Sequence, residues 1–224
     1  MKLLTWLLDL VYPPKCVFCG KLLSQSETDL CGRCRRDLPR AERVIERGEF
    51  FTGCTCVYYY EEEVRQSMLR YKFRSMRQYA DAYGRLLAMR LLPERERYDL
   101  LTWVPISARR RRQRGYDQAE LLARRVAEEL GLPCESTLQK FRHTPAQSGQ
   151  AGAAARRANV LGVYRVLQPE RVKEKRILLI DDVITTGATL TECSKMLRLA
   201  GAGEISCAAL AAARKPDEAG KKKE

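Results

Sequence analysis

Residues Ile177 to Thr191 read ILLIDDVITTGATLT. Four consecutive apolar residues predict a buried strand, and two carboxylates, Asp181 and Asp182, follow it directly. A loop of Thr, Gly and Ala then opens the helix LTECSKMLRLA, which Gly201 closes. In a parallel α/β sheet, ligands bind where strands end at their carboxyl side, so the acidic pair falls at the binding edge. The first N–H groups of the following helix have no internal partner and form an anion site. Gly187 lets backbone approach a ligand closely, while Thr185, Thr186 and Thr189 offer hydroxyls. A phosphate held there would bring its sugar next to carboxylates that accept hydrogen bonds from a vicinal diol. The order acid, acid, loop, helix therefore suits a ribose 5-phosphate. A helix cap beside a stray acidic pair explains only one Thr and one Asp.

The flanking sequence supports the sheet. TCVYYY is β-rich, EEEVRQSMLRYKF and RQYADAYGRLLAMRLL have helical spacing, and YDLLTWVPI is an apolar strand ending at Pro105. YDQAELLARRVAEEL is a long helix stopped by Gly131 and Pro133, and ISCAALAA ends the series. Continuous apolar runs between amphipathic helices predict an α/β fold, a parallel sheet covered by helices on both faces. RKPDEAGKKKE reads as a disordered polar tail over 214–224.

Ahead of this domain, Cys16, Cys19, Cys31 and Cys34 form two C-x2-C pairs separated by eleven residues. Four thiolates suit a closed tetrahedral Zn2+ site, which adds folding energy and leaves no open position for catalysis. Cys54 and Cys56 point to one face of a strand and read as packing residues. Cys134, Cys193 and Cys207 read as core thiols. The expected organisation is a helix and four-cysteine zinc ribbon over 1–50 and a ligand-binding domain over 51–213.

Composition narrows the class. Lys and Arg outnumber Asp and Glu by 41 to 28, while residues 1–50 carry only 9 against 7. The surplus belongs to the larger domain and favours an anionic partner, phosphorylated metabolite or nucleic acid, although a solvated surface explains it equally well. No run approaches the roughly 18 apolar residues of a membrane span. Asp9 interrupts the apolar opening, so residues 3–10 read as a short amphipathic helix docked on the body. Nine cysteines, an odd number, point to a reducing cytoplasm.

ILLIDDVITTGAT resembles the 5-phosphoribosyl-1-pyrophosphate (PRPP) motif of type I phosphoribosyltransferases. The wider pattern is similar to the competence protein F (ComF) family: VYPPKCVFCG and LCGRC, LRYKF at 69–73, VPI at 104–106, RGYDQAELLA at 114–123, Thr144 with Gln147, and Arg156 with Asn159. The family usually has Phe-Asn where this chain has Tyr116-Asp117, and the second zinc pair of some members is missing. The resemblance implies a type I phosphoribosyltransferase-like sheet. Asp181 and Asp182 would bind ribose hydroxyls, partly through Mg2+, and Val183, Thr185, Thr186, Gly187, Ala188 and Thr189 would wrap the 5-phosphate. Val104, Pro105 and Ile106 fall where such transferases hold pyrophosphate, and Lys72 and Arg114 lie inside family-like motifs as catalytic candidates.

ARRRRQRG reads physically as a mobile cationic loop able to neutralise a departing pyrophosphate, or else as a solvated connector. The expected activity is phosphoribosyl transfer to an unknown acceptor, linked to competence and DNA uptake. The alternative from another class is a single-stranded DNA-binding or scaffold protein of the uptake machinery without turnover. Residues 105–160 hold 11 basic against 5 acidic side chains, with Tyr116, Phe141 and His143 nearby, which fits a groove that tracks a phosphate backbone. Competence-machinery proteins are the further expected partners.

Overall fold

The computed structural model describes residues 13–41, 43–74, 76–141 and 162–214. The expected N-terminal helix at 3–10, the Thr144–Gln147 and Arg156–Asn159 motifs, His143 and the tail beyond Arg214 lie outside the described residues.

A five-stranded sheet has the spatial order β1 (Arg43–Ile45), β2 (Cys54–Tyr59), β7 (Ile205–Ala212), β6 (Ile177–Ile184) and β3 (Leu100–Trp103). β2, β7, β6 and β3 run parallel, and only the edge strand β1 is antiparallel. The chain thus forms the expected α/β fold. β6 shows why its sequence is continuously apolar. Ile177 and Leu179 enter one core with Cys54, Cys56, Cys193, Leu197 and Cys207, while Leu178 and Ile180 enter the other with Tyr83, Leu87, Leu122 and Val126. The first core lies under α7 (Ala188–Leu199) and the second under α3 (Tyr79–Leu91) and α5 (Gln118–Leu130). Both faces are dry, so no position between 177 and 180 admits a polar residue.

Cys54 and Cys56 are fully buried and alternate with half-buried neighbours along β2, in keeping with packing. Cys193 and Cys207 are buried as well, and Cys134 is half-buried.

The cysteine unit shares a core with the sheet. Cys16, Val17, Phe18, Leu30, Cys31, Cys34 and Leu38 belong to the same apolar cluster as Tyr58, Met68, Tyr71 and Tyr83. The Phe18 ring meets Tyr58 edge-on at 5.1 Å, and Arg85 Nε donates to Asp29 Oδ2 at 2.9 Å. This arrangement is physically reasonable, since a segment of this size buries too little surface to carry its own core.

Two details differ from the sequence reading. β6 does not end at the carboxylates: it stays on β7 as far as Ile184↔Ala212, although its pairing with β3 stops at Trp103↔Ile180. The acidic pair therefore sits on a strand that is open on one side. The run after Pro105 is not a loop but the helix α4 (Ala108–Arg114), because Ser107 caps its start and Gly115, at φ 76°, closes its end. Those cap signals outweigh the repulsion between neighbouring arginines. A small antiparallel pair, β4 (Leu138–Lys140) and β5 (Tyr164–Val166), stands apart from the main sheet.

Candidate functional site

Successive side chains on a strand point to opposite faces, so Asp181 and Asp182 straddle the sheet. Asp182 follows the Leu178 and Ile180 face and meets Lys72 Nζ of α2 (Glu62–Phe73) at 2.8 Å. Asp181 follows the other face, where its charge acts on Cys193, Lys140 and Tyr164. Its Oδ1 accepts from the Asp182 N–H at 2.8 Å, and among the described residues it forms no ion pair. Burial, together with the adjacent Asp182 charge, pushes the Asp181 carboxyl up to about 8. The two carboxylates are therefore unequal, one with a counter-ion and one without.

A concavity beside Asp181 is lined by Val183, Thr185, Thr186, Gly187 and Thr189. Gly187, at φ 75°, is the N-cap of α7, and Thr186 Oγ1 accepts from the Ala188 N–H at 3.4 Å. A Cβ at Gly187 would come 3.3 Å from Ile45 Cδ1, so the backbone packs closely on its second side as well. Thr185 and Thr186 are exposed, so their hydroxyls are accessible. This is the acid, loop and helix array in the order the sequence implied.

Val104, Pro105 and Ile106 leave β3 at the carboxyl end of the neighbouring strand, with the Val104 N–H still bonded to Ile180 O at 2.9 Å. A residue not singled out as a site in the sequence governs this turn. Asp117 Oδ2 accepts from the Ile106 N–H at 2.9 Å, while its Oδ1 accepts from Ala119 N–H at 3.1 Å and Glu120 N–H at 3.4 Å. One carboxylate thereby joins the turn to the start of α5. Burial pushes Asp117 up to about 6, and the Asp182 charge adds to the shift.

Arg114 donates to Gln118 Oε1 at 2.8 Å and lies over the Phe73 ring at 5.0 Å, next to Lys72 in sequence. The helix sorts the other arginines. Arg109 and Arg112 are exposed, and Arg111 pairs with Glu120 at 3.0 Å. Arg110 is half-buried, and its charge acts on Lys140 and Tyr164. Lys140 lies 5.1 Å over the Tyr164 ring, and burial lowers its pKa, with Arg110 adding to the effect. The charges of Asp181 and Arg110 thus both act on the Lys140–Tyr164 pair, which no sequence motif revealed.

The four cysteine sulfurs all lie within 4.8 Å of one another, and Cys19 Sγ is 3.6 Å from Cys31 Sγ. A tetrahedral zinc with Zn–S bonds of about 2.3 Å requires sulfurs about 3.8 Å apart, so the thiols fit the ion. It is the only group of three or more metal-ligating side chains so arranged among the described residues, and no second zinc set accompanies it there. No helix among those residues is long and apolar enough to cross a membrane.

Residues 117–224 match the family described as Phosphoribosyl transferase domain, and residues 7–45 match the Double zinc ribbon domain. The four-thiol cluster and the second match together support a structural zinc. Competence protein F of Haemophilus influenzae is 30% identical over 207 residues, covering 89% of this chain and 85% of the relative. DNA utilization protein YhgH of Escherichia coli K12 is 26% identical over 195 residues, covering 85% of this chain and 80% of that one. Competence protein ComFC of Streptococcus pneumoniae is 26% identical over 230 residues, covering 85% and 96%. With its four-cysteine unit joined to a phosphoribosyltransferase-type parallel sheet, this chain belongs to the competence protein F (ComF) family.

Proposed function

We propose that this protein binds PRPP with Mg2+ at the carboxyl end of the sheet. The single observation that carries the reading is the split acidic pair. Asp182 has Lys72 as its counter-ion, whereas Asp181 borders the phosphate loop without an ion pair among the described residues. Burial and Asp182 oppose the ionisation of Asp181, so a cation arriving beside the anion loop would favour its charged form, and a hard divalent ion with oxygen ligands suits it. When bound, Mg2+ would neutralise charge shared by ribose hydroxyls and pyrophosphate.

The chain's own residues supply the rest. Thr185, Thr186 and the α7 amides hold the 5-phosphate, and Asp181 and Asp182 orient the ribose. The Val104–Ile106 backbone, held by Asp117, faces the pyrophosphate. Lys72 and Arg114 on one side, and Arg110 and Lys140 on the other, balance charge as pyrophosphate leaves C1. Positioning and electrostatics account for such a transfer. The acceptor is unassigned. The competence and DNA-utilization names of the relatives support a role for this activity in DNA uptake.

Isothermal titration with PRPP tests this. Mg2+-dependent heat with about one site per chain is expected, and no heat with or without Mg2+ overturns it. The outward side of α4 favours a second reading: exposed Arg109 and Arg112 suit a single-stranded DNA backbone, separate from the inward Arg110 and Arg114.

A further inference from the structure

The cysteine unit reaches the site through one helix. Val17 and Phe18 lie in the turn between the ligands Cys16 and Cys19, and their carbonyls face α2. Ser67 Oγ donates to Val17 O, and Arg70 Nη2 donates to Phe18 O at 2.5 Å and to Val17 O at 3.3 Å. Ser67 is fully buried and lies 2.5 Å from Tyr83 Oη. With its one proton committed to Val17, Ser67 accepts from that phenol. Both hydrogen-bonding directions of the hydroxyl are therefore used.

The same helix carries Lys72, two residues past Arg70, to Asp182 at 2.8 Å. Tyr71 between them is fixed on the far side: its hydroxyl donates to Gln118 O at 2.9 Å, and its carbonyl accepts from Tyr116 Oη. Tyr71 buries the inner side of the last turn of α2, whereas its final residue, Phe73, is 65% exposed. Polar ties fix the rest of the turn. Those of Ser67 and Arg70 lead to the turn that carries Cys16 and Cys19.

We infer that Ser67 and Arg70 are positioning residues that lock Lys72 against Asp182 by tying α2 to the metal-ligand turn. A lysine on a long flexible stem loses rotamer freedom when it pairs, and a fixed helix lowers that cost. Its consequence for ligand affinity rests on the PRPP reading. Coupling between sites is reciprocal, so PRPP binding should also strengthen zinc retention by the same factor.

The test uses the full-length zinc-loaded protein and the variant Arg70→Met, which keeps the stem and removes both donors. Zinc content, PRPP affinity, zinc release to a chelator with and without PRPP, and amide exchange at residues 70–73 are measured. Arg70→Met should retain about one zinc and exchange faster at 70–73. It should bind PRPP about tenfold more weakly and lose the protection of zinc by PRPP, with partial rescue in Arg70→Lys. Ser67→Ala carries the same test if Arg70→Met fails to fold. Unchanged exchange in a zinc-retaining variant overturns the inference, as does unchanged PRPP affinity. If the wild type binds no PRPP, the functional reading fails on its own, and the exchange measurement still decides this one.

Discussion

The two ends of the parallel sheet carry the same kinds of charge and treat them oppositely. At the amino end, just before β3, Asp99 takes both Nε and Nη2 of Arg176, at 3.0 and 2.6 Å, and this guanidinium holds its carboxyl down to about 2. Glu204, just before β7, is lowered by Arg97 at 2.7 Å and by Thr52. At the carboxyl end, Asp181 and Asp117 are pushed up to about 8 and about 6 by burial and by Asp182. Matched charge ties strands together, whereas unmatched charge costs stability and is kept where a ligand will relieve it. The contrast separates the stabilising end of the fold from the end proposed to bind the ligand.

The largest effect should follow from removing the counter-ion that the binding end does possess. Lys72→Met leaves Asp182, whose side chain is 11% exposed, without its partner among three carboxylates. Breaking a largely buried pair costs about 3 kcal/mol, so urea unfolding should shift by that amount and PRPP affinity should fall with it. An unshifted midpoint would mean that the pair is not desolvated.

Asp117→Asn should cost less. The amide can still cap α5 through its carbonyl, but its NH2 then opposes the Ile106 N–H. PRPP affinity should fall by about tenfold, with the fold intact. Stability in the ligand-free wild type should also fall between pH 4 and 6. Over that range the folded state holds the Asp117 proton and the unfolded state has released it. Asp181 adds a slope of the same sign, so the variant should lose only the share of one proton, and an undiminished slope would contradict the role of Asp117.

The two sides of α4 can be separated. Arg110→Gln with Arg114→Gln should weaken PRPP binding. Arg109→Gln with Arg112→Gln should leave it unchanged and flatten the salt dependence of any single-stranded DNA binding by about 0.7 per lost phosphate contact. Equal effects of the two pairs on PRPP would remove the distinction.

The smallest effect belongs to the amino end. Asp99→Asn should cost less than about 1 kcal/mol because the pair is exposed and screened by salt. Its contribution should be complete above pH 4 and vanish as pH falls toward 2, since the folded carboxyl lies below its unfolded value. A loss comparable to that of Lys72→Met would erase the contrast between the two ends.

What the sequence showed depended on distance along the chain. Asp181, Asp182, the Thr185–Thr189 loop and the two C-x2-C pairs were legible because spacing within one strand-loop-helix unit, or within two turns, fixes their geometry. The α4 helix was readable from Ser107 and Gly115 but was obscured by arginines that suggested a solvated loop. Lys140, Tyr164 and Ser67 carry no local motif, and only the folding of distant elements brings them to the site or to the cysteine turn. Asp117 was visible as a departure from the family pattern, but its bond to Ile106, eleven residues away, was not.

Asp181→Asn tests the central claim most directly, by urea unfolding with and without PRPP and Mg2+. The amide keeps the size and the acceptor for the Asp182 N–H while removing the carboxyl that the fold must hold protonated near neutral pH. Without ligand the variant should be more stable than wild type by about 1–2 kcal/mol near neutral pH, and it should gain little from PRPP and Mg2+, which stabilise the wild type. A variant that is less stable without ligand, or is stabilised by the ligand as fully as the wild type, would contradict the assignment of this end of the sheet to PRPP and its metal.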